Sequence, residues 1–262
     1  MTTTKIIYLL GLICLLASCT PNTVSIHLTN NLNPERQNET IEILIADLPD
    51  HWSSKIDKIG IYDPAENAFL ISQLIDVNQD GKMDQLIFQP TMAPLSEKTF
   101  QLKVQTDKPE VVDYCYSRIV PTRIDDYTWE NDRVAFRTYG PAAQALVEEG
   151  KKGGIISSGI DCWLKKVNYP VINKWYKASE EEDISYHEDH GEGLDNYHVG
   201  ISRGAGGLAI KGEDDQYFVS KNFIAHNTLA TGPLRTLFQL DDADWEGPQG
   251  IIKEQKTISL DY

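Results

Sequence analysis

The stretch Lys98–Val104, with the sequence KTFQLKV, alternates polar and apolar side chains. Alternation with a period of two is typical of a β-strand that packs one face against a core. Similar short runs precede it, and turn-forming residues separate them. These runs are Val24–Leu28, Glu39–Ile45, Lys58–Tyr62, Ala68–Ile75 and Met83–Gln89. Strands this short, at this spacing, predict a mainly β protein that folds as an antiparallel sandwich.

The sequence changes character after Thr106–Pro109, where we place a seam. It divides an N-terminal β-sandwich part, residues 24–106, from a main β-rich part, residues 107–262. The second part starts with a strand at Arg133–Tyr139 and holds a short helical insertion around Gly140–Ala178. Because Tyr169-Pro170 breaks a helix, the insertion is expected to form helical segments at Ala142–Glu149, Asp161–Val167 and Val171–Ala178. Later strands are expected at 208–210, 216–219, 223–228, 234–240 and 256–260. The last one ends without a closing turn, which predicts a C-terminally shortened form of a larger sandwich.

The first residues have the features of an export signal rather than of a fold. Lys5 supplies a positive charge, and the apolar run Ile6–Ala17 is shorter than the about 20 residues that span a bilayer. The run leads into LASC at Leu16–Cys19, which is typical of a bacterial lipobox. We expect a signal peptide at residues 1–18, a lipid on Cys19 and a tether at residues 19–23. The mature protein would be exported and lipid-anchored to a membrane, at the outer membrane or the periplasmic face. The alternative is an ordinary signal peptide with an incidental cysteine.

Acidic residues dominate the charge of the chain. The formal net charge is -15 and the sequence pI is about 4.8, which argues against nucleic acid as a partner. An acidic ligand would need a local pocket of Arg or Lys. Two cysteines remain beyond the anchor, Cys115 and Cys162. Export permits a disulfide between them, and two separate buried thiols are the alternative.

The segment Asp76–Asp84, with the sequence DVNQDGKMD, has side-chain oxygens at alternate positions and a glycine for a sharp turn. A hard cation such as calcium needs this pattern, and the expected ligands are Asp76, Asn78, Asp80 and Asp84. The flanking strands argue against an EF-hand. The alternative is a plain hairpin turn in which Asn, Asp and Gly serve the backbone geometry.

Arginines at two places suit the binding of an acidic group. In the predicted strand that begins at Arg133, alternation puts Arg133, Arg137 and Tyr139 on one face, as a carboxylate or sulfate clamp requires. The alternative is a solvated face or structural salt bridges. The glycines of Ser202–Gly207 (SRGAGG) allow a ligand to approach the backbone beside Arg203. A tight turn before the next strand is the alternative there.

The segment Tyr186–Asp195, with the sequence YHEDHGEGLD, carries His187 and His190 among carboxylates and glycines. A stretch so poor in core residues predicts a loop or the rim of a strand. Its imidazoles suit metal-free proton transfer or zinc binding, although a helical HExxH would be the stronger zinc pattern. A structural, hydrogen-bonded loop is the third alternative.

Four ordered motifs carry a family resemblance: WENDRVAFRTYGP at Trp129–Pro141, SGIDCWLK at Ser158–Lys165, YHEDHGEGLD at Tyr186–Asp195 and SRGAGG at Ser202–Gly207. Together they resemble a domain-of-unknown-function family of secreted Bacteroidetes lipoproteins, often encoded in polysaccharide-utilisation loci. The resemblance covers most of the mature chain. An oligosaccharide dehydratase that acts in ulvan breakdown looks similar. The resemblance therefore implies the removal of water from a non-reducing-end uronic acid, which gives a 4,5-unsaturated sugar.

This resemblance, read with the residues, gives β-elimination as the expected reaction. Loss of the proton at C5 makes a carbanion, so the carboxylate of the sugar must be neutralised. The guanidiniums expected to neutralise it are those of Arg133, Arg137 and Arg203. The residues expected to transfer protons as base and acid are His187, His190, Tyr186 and Tyr139. Two aromatic side chains suit stacking on sugar rings, with core packing as the alternative role: Trp163 and Trp175.

The expected architecture is a supersandwich of the sugar-mutarotase type, and the expected activity is that of a carbohydrate lyase or dehydratase. The alternatives are a non-catalytic surface glycan-binding lipoprotein and a metal-dependent hydrolase that uses the histidine segment. The expected partners are a uronic-acid-containing oligosaccharide and, through the lipid anchor only, a membrane. The elimination requires no cofactor, and the metal under consideration is a structural calcium in the Asp76–Asp84 loop.

Overall fold

The computed structural model describes residues 23–108, 110–200 and 203–262. In these ranges the protein is mainly β, as predicted, with antiparallel sheets and two α-helices. The predicted signal peptide and Cys19 lie outside the described residues. Within the described ranges, no helix is long and apolar enough to cross a membrane.

The strands of the N-terminal half are β1 (Val24–Asn30), β2 (Ile41–Leu44), β3 (Ile59–Asp63), β4 (Ala68–Leu70), β5 (Ser72–Ile75), β6 (Gln85–Phe88) and β7 (Ser96–Val104). Those of the C-terminal half are β8 (Tyr116–Val120), β9 (Asp126–Glu130), β10 (Val134–Thr138), β11 (Ile160–Lys165), β12 (Gly193–Asp195), β13 (Ala209–Lys211), β14 (Tyr217–Val219), β15 (Phe223–Ala230), β16 (Arg235–Asp242), β17 (Trp245–Gly247), β18 (Gly250–Ile252) and β19 (Gln255–Asp261). The α-helices are α1 (Pro141–Glu148) and α2 (Ile172–Glu181). Short 3-10 helices occupy Ile45–Asp47, Asp50–Lys58, Pro121–Arg123 and Glu213–Asp215.

Two antiparallel sheets form the N-terminal half, one of order β1–β7–β3–β4 and the other of order β2–β6–β5. Both contribute to one apolar core, as a sandwich requires. Phe100 and Leu102 of β7 are buried in it, so the period-two pattern correctly indicated the buried face. The predicted strand Ala68–Ile75 is two strands, because the chain leaves the first sheet at Ile71 and enters the second.

The C-terminal half has three layers. A five-stranded antiparallel sheet of order β12–β11–β10–β9–β8 lies in the middle. One of its faces packs on the sheet β15–β16–β19 through a core that contains Tyr127 and Phe238. Its other face packs on α2 through Trp163 and Tyr176. The middle sheet therefore has one face in the sandwich and one face under a helix.

The sequence predicts a helical segment at Asp161–Val167, and this prediction is wrong. Residues 160–165 form β11, which pairs with β10 on one edge and with β12 on the other. The strand buries Asp161 and Trp163 on one face. Pairing on both edges outweighs the local helical preference of this short segment. The helical predictions for Ala142–Glu149 and Val171–Ala178 are confirmed by α1 and α2.

A buried carboxylate fixes the start of α2. Glu130, at the end of β9, accepts hydrogen bonds from the backbone N–H groups of Val171 at 2.8 Å and Ile172 at 3.0 Å. Lys165 Nζ lies 2.8 Å from the same carboxylate, and both side chains are almost fully buried. Since the first N–H groups of a helix have no partner within it, Glu130 supplies one and places α2 over the middle sheet.

Buried contacts join the two halves. Gln73 of β5 accepts hydrogen bonds from the backbone N–H groups of Leu234 at 3.0 Å and Arg235 at 2.9 Å. Its amide also donates to the carbonyl of Arg235 at 2.9 Å. Ile75 packs with Leu234 and Leu237 in one apolar cluster. The predicted seam at 106–109 thus lies in the connection between β7 and β8, while core residues from both sides of it meet elsewhere.

Both cysteines beyond Cys19 are free thiols, as in the second alternative, but only Cys115 is buried and Cys162 is half-buried. Cys115 is fully buried, and its backbone pairs with that of Gly232 in an isolated antiparallel bridge. Burial raises the pKa of its thiol to about 12, so Cys115 is a poor nucleophile.

Candidate active site

Four neighbouring strands of the middle sheet place charged side chains on one face. β9 contributes Asp126, β10 Arg137, β11 Asp161 and β12 Asp195. Arg137 lies opposite Asp161 in the antiparallel register, and Asp195 lies opposite Trp163, two residues further along β11. Because alternate residues of a strand share a face, these side chains converge beneath α2 and the histidine loop, which we define as residues 182–192.

The guanidinium of Arg137 is at the centre of this group, which we call the Arg137 cluster. Its Nε donates to Asp161 Oδ2 at 2.8 Å, and its Nη2 donates to Asp195 Oδ2 at 3.2 Å. Its Nη1 donates to the hydroxyl of Tyr186 at 3.0 Å and lies 3.8 Å from Asp126 Oδ2. Arg137 is only 8% exposed, so protein groups take up its donors.

Aromatic rings separate the Arg137 cluster from solvent. Trp163 stacks on Tyr186 with ring centroids 5.0 Å apart. The guanidinium carbon of Arg137 lies 5.4 Å from the ring of Tyr139 and 5.5 Å from that of Trp163. Burial raises the pKa of Tyr139. Tyr139 and Tyr186 are 3% and 7% exposed, and the hydroxyl of Tyr186 belongs to the buried network through Arg137.

The Arg137 cluster holds three carboxylates. Burial first, and the charge of Asp161 second, raise the pKa of Asp195 to about 7. Burial likewise raises the pKa of Asp126 to about 6. Asp161 and Asp195 both contact the guanidinium of Arg137, at 2.8 Å and 3.2 Å. A proton on Asp195 relieves the repulsion of two carboxylates that share this guanidinium.

His187 connects this buried network to the solvent. Its Nδ1 lies 3.3 Å from Asp195 Oδ2, and its side chain is 52% exposed, whereas the side chain of Asp195 is fully buried. The imidazole also contacts the ring of Tyr186, with centroids 4.6 Å apart. A buried carboxylate at Nδ1 orients the ring and leaves Nε2 available to a group outside the protein.

His190 lies in a cleft between α2 and the histidine loop. The cleft has a volume of about 490 Å³, and Trp175 and Ile184 form part of its apolar lining. Nε2 of His190 lies 3.1 Å from the carbonyl oxygen of Ser185, so the ring ties the loop to itself. The two histidines, which the sequence presents as a pair, therefore have separate surroundings: His187 on the Asp195 carboxylate and His190 in the cleft.

Glu192 forms one wall of this cleft. Its carboxylate accepts hydrogen bonds from Lys174 Nζ at 2.6 Å, from the indole Nε1 of Trp175 at 3.1 Å and from the hydroxyl of Tyr169. Burial alone would raise the pKa of Glu192, but these hydrogen bonds outweigh it and lower that pKa. The indole of Trp175 reaches the cleft in this way, whereas Trp163 is fully buried and packs in the core.

The structure separates the two arginines that alternation places on one face. β10 begins at Val134, so Arg133 precedes the paired strand. Its side chain is 74% exposed, with Nε 3.5 Å from Asp132 Oδ2, whereas Arg137 is buried among carboxylates. Arg133 and Arg137 therefore do not form the expected joint clamp, because their guanidiniums lie in different surroundings.

Arg203 lies in a turn beside the start of β11. Ala205 pairs with Ile160 in an isolated antiparallel bridge. A Cβ on Gly159 would lie 1.5 Å from the carbonyl oxygen of Arg203, so this approach requires glycine at position 159. The side chain of Arg203 is exposed and has no carboxylate partner among the described residues. It lines a small pocket of about 180 Å³ together with Ser158.

The oxygens of the Asp76–Asp84 loop bind the loop's own backbone. Asp84 Oδ2 accepts from the N–H of Val77 at 2.8 Å, and Asp76 Oδ2 accepts from that of Gly81 at 2.8 Å. In the part of the chain that the structure describes, no group of three or more His, Cys, Asp or Glu residues is arranged to hold a metal ion. These hydrogen bonds suit the plain-turn alternative, and calcium at this loop stays a prediction.

Sequence reasoning missed Asp126 and Asp161 as members of the site. Asp161 went unnoticed because its segment was expected to be helical; as a strand, its alternation puts Asp161 and Trp163 on one face. Asp126 carries no local signal of its own. Only the pairing of β9 with β10 brings it to Arg137.

Comparison with known proteins gives one family and one near relative. Residues 28–262 match the family described as "Domain of unknown function (DUF4861)". "Uncharacterized protein P7" from Formosa agariphila is 52% identical over 236 residues. The match covers 89% of this chain and 59% of that protein, so the chain spans well under two thirds of this relative's length.

Two solved structures from Enterococcus faecalis also match. One is a protein in glycosyl hydrolase family 38, with 12% identity, a TM-score of 0.37 and coverage of 85% of this chain and 24% of the other. The second is an α-mannosidase, with 10% identity, a TM-score of 0.39 and coverage of 92% and 29%. Since the family match takes in nearly all of the described residues, the chain belongs to the DUF4861 family.

Proposed function

We propose that this protein is a carbohydrate lyase of the dehydratase type, which removes water from a uronic-acid oligosaccharide by β-elimination. The observation that carries this proposal is the contact of His187 with Asp195, at 3.3 Å between Nδ1 and Oδ2. An exposed imidazole held by a buried carboxylate is suited to take a proton from a bound substrate. The motifs that resemble an oligosaccharide dehydratase supply the class of substrate.

In this mechanism Nε2 of His187 takes the proton at C5 of the uronic acid. The electron pair of that C–H bond forms the C4=C5 double bond, and the C4–O4 bond breaks. The leaving hydroxyl takes up a proton and departs as water. Solvent supplies this proton, because His190 faces the cleft and its Nε2 lies 3.1 Å from the carbonyl oxygen of Ser185. Tyr139 and Tyr186 are buried and contact the guanidinium of Arg137 instead.

Arg203 is the guanidinium that we assign to the carboxylate of the sugar. Of the three arginines predicted for this role, Arg137 is occupied by aspartates and Arg133 lies beside Asp132. The turn of Arg203 meets β11 at Ile160, on the edge that also carries β12. Asp195 lies opposite Trp163, three residues along β11 from Ile160, which corresponds to about 10 Å of strand. In the proposal, one sugar unit covers this part of the edge, between the Arg203 turn and His187.

The test is the ultraviolet absorbance of the unsaturated uronate, whose double bond is conjugated with its carboxylate, during incubation with a panel of uronic-acid oligosaccharides. We expect product with the full chain and none with His187→Ala. The matched control is His27→Ala, which removes an exposed histidine from β1 in the N-terminal half. Glycan binding without any product would overturn the enzyme proposal in favour of a surface glycan-binding protein. Product loss on exhaustive chelation would favour a metal-dependent enzyme instead.

We also propose export and lipid anchoring through Cys19, with the oligosaccharide encountered outside the cytoplasm. The sequence LASC at Leu16–Cys19 supports this proposal. Mass spectrometry of protein isolated from membranes should show a diacylglycerol on Cys19, and Cys19→Ala should release it from the membrane fraction. An unmodified Cys19 in membrane-isolated protein would contradict the proposal.

A further inference from the structure

In the cleft between α2 and the histidine loop, the positive charges are paired, whereas two negative charges are not. Its two lysines already have carboxylate partners. Lys174 Nζ lies 2.6 Å from Glu192, and Lys177 Nζ lies 3.8 Å from Glu181. Neither lysine is thus a free cation for an anionic ligand.

Two carboxylates of the same cleft have no such partner. Glu182 and Glu188 both line it and are exposed. Neither side chain forms a hydrogen bond or an ion pair within the described residues. The unpaired charges that face the cleft are therefore negative, and they repel a carboxylate or sulfate.

The lining also has an apolar part, beside the polar side chains of Ser185 and His190. Trp175, Ala178 and Ile184 contribute to it, and Ile184 is 39% exposed. A pyranose ring presents apolar C–H groups on its faces and hydroxyl donors around its edge. Carboxylates accept hydrogen bonds from hydroxyls, and an apolar wall with a few polar groups is typical of small-molecule sites. A volume of about 490 Å³ exceeds what one sugar ring needs.

We propose that this cleft is a subsite for a neutral sugar unit. It selects hydroxyl donors and excludes negatively charged units. The inference rests on the proposed function for the position of the acidic unit, which lies outside the cleft, between His187 and Arg203. The neutral unit next to it in the oligosaccharide occupies the cleft.

The test compares two ligands that differ only in the oxidation of C6, methyl β-D-glucopyranoside and methyl β-D-glucopyranosiduronic acid. The readout is the NMR signal of the Trp175 indole N–H in the full chain, since that group lies at the Glu192 wall. We expect the neutral glycoside to shift this signal and to bind at least about threefold more tightly than the uronic acid.

The double variant Glu182→Lys/Glu188→Lys should reverse this preference, because it replaces the two unpaired negative charges by positive ones. Glu66→Lys is the matched control: it makes the same change at an exposed turn of the N-terminal half. If the double variant fails to fold, Glu188→Gln should still reduce the difference in affinity between the neutral glycoside and the uronic acid.

Tighter binding of the uronic acid at the cleft of the unaltered protein, measured by titration of the Trp175 signal, would overturn the subsite, and so would a Trp175 signal that neither ligand moves. An unchanged preference in the double variant would do the same. Because the readout is binding and not turnover, a failure of the subsite is distinguishable from a failure of the lyase proposal, which appears as missing product.

Discussion

The side chain of His187 owes its orientation to a residue eight positions later in the chain. Asp195 reaches it from β12, and Arg137, which also binds Asp161, holds Asp195 in turn. The histidine that faces solvent is thus the last member of a network whose other members are buried. A change at any of the buried positions should reach the imidazole through Asp195.

Asp195→Asn tests whether the orientation of His187 depends on Asp195, because it replaces one carboxylate oxygen by an NH2 group. The amide N–H of asparagine can donate to Nδ1 of His187, and the ring proton then moves to Nε2, where the base is needed. We expect nitrogen NMR to show the changed tautomer and product formation to fall by at least about a hundredfold. The signal of His190 in the same spectrum is the internal control. An unaltered His187 tautomer would show that Asp195 does not position the ring.

Stability against pH gives a second prediction for Asp195. Its pKa in the folded protein is about 7, well above the ordinary value of about 3.9. Between these values the folded state keeps a proton that the unfolded chain has released. The stabilisation is therefore fully present below about pH 4 and is lost as the pH rises through about 7.

Asp126, with a pKa raised to about 6, acts in the same direction. The unfolding free energy should be measured by urea unfolding at about pH 5 and about pH 7.5. The part of its difference between these pH values that the Asp195 carboxyl contributes should disappear in Asp195→Asn. If the variant and the unaltered protein show the same difference between the two pH values, the raised pKa of Asp195 is wrong.

At the scale of elements, the histidine loop depends on a glycine at its end. Gly193 has a φ of +112°, and a Cβ there would lie 2.0 Å from the carbonyl oxygen of Leu164 in β11. Gly191 also has a positive φ, of +98°, but a Cβ there would meet nothing within 4 Å. An alanine at Gly191 would therefore meet backbone strain alone, whereas an alanine at Gly193 would meet both strain and steric overlap.

Gly193→Ala should displace β12 from β11 and with it Asp195, whereas Gly191→Ala should cost only about 1 kcal/mol of strain. We expect product formation and the His187 tautomer to change strongly in the first variant and slightly in the second. Circular dichroism would check that both remain folded. Equal effects in the two variants would contradict the role assigned to the Gly193–Leu164 contact.

An element could be predicted from the sequence when neighbouring residues determine it, and could not when distant strands do. β7 and α2 could be predicted, since alternation in Lys98–Val104 and the stop at Pro170 act within a few residues. β11 could not, because its strand state depends on edges supplied by β10 and β12. The candidate site divides in the same way: His187 and Arg137 carry unusual local patterns, whereas Asp126 becomes relevant only through pairing of β9 with β10.

At the scale of the whole molecule, the N-terminal sandwich supports the half that carries the site. Gln73 accepts hydrogen bonds from the backbone N–H groups of Leu234 and Arg235, where β16 begins. The side chain of Arg235 in turn pairs with Glu42 of β2 and with Asp261 of β19. These polar contacts join the two halves, although each half is a separate part of the sequence.

Gln73→Ala should lower the unfolding free energy by about 2 kcal/mol, because it leaves the buried N–H of Leu234 and the partly buried N–H of Arg235 without an acceptor. Gln216→Ala is the matched control, since Gln216 is exposed in the connection before β14. Urea unfolding should show one transition at a lower midpoint for Gln73→Ala and no shift for the control. An unchanged midpoint for Gln73→Ala would show that these contacts contribute nothing to the coupling of the halves.

The stack beneath the histidine loop has an optical consequence. Trp163 lies against Trp175 with ring centroids 5.7 Å apart and planes inclined by 22°, and Tyr186 stacks on Trp163 as well. Indoles this close are coupled chromophores, and their excited states mix. The near-ultraviolet circular dichroism of this pair should therefore follow the arrangement of α2 and the loop. The protein carries its own spectroscopic probe directly beneath the residues that we assign to proton transfer and sugar binding.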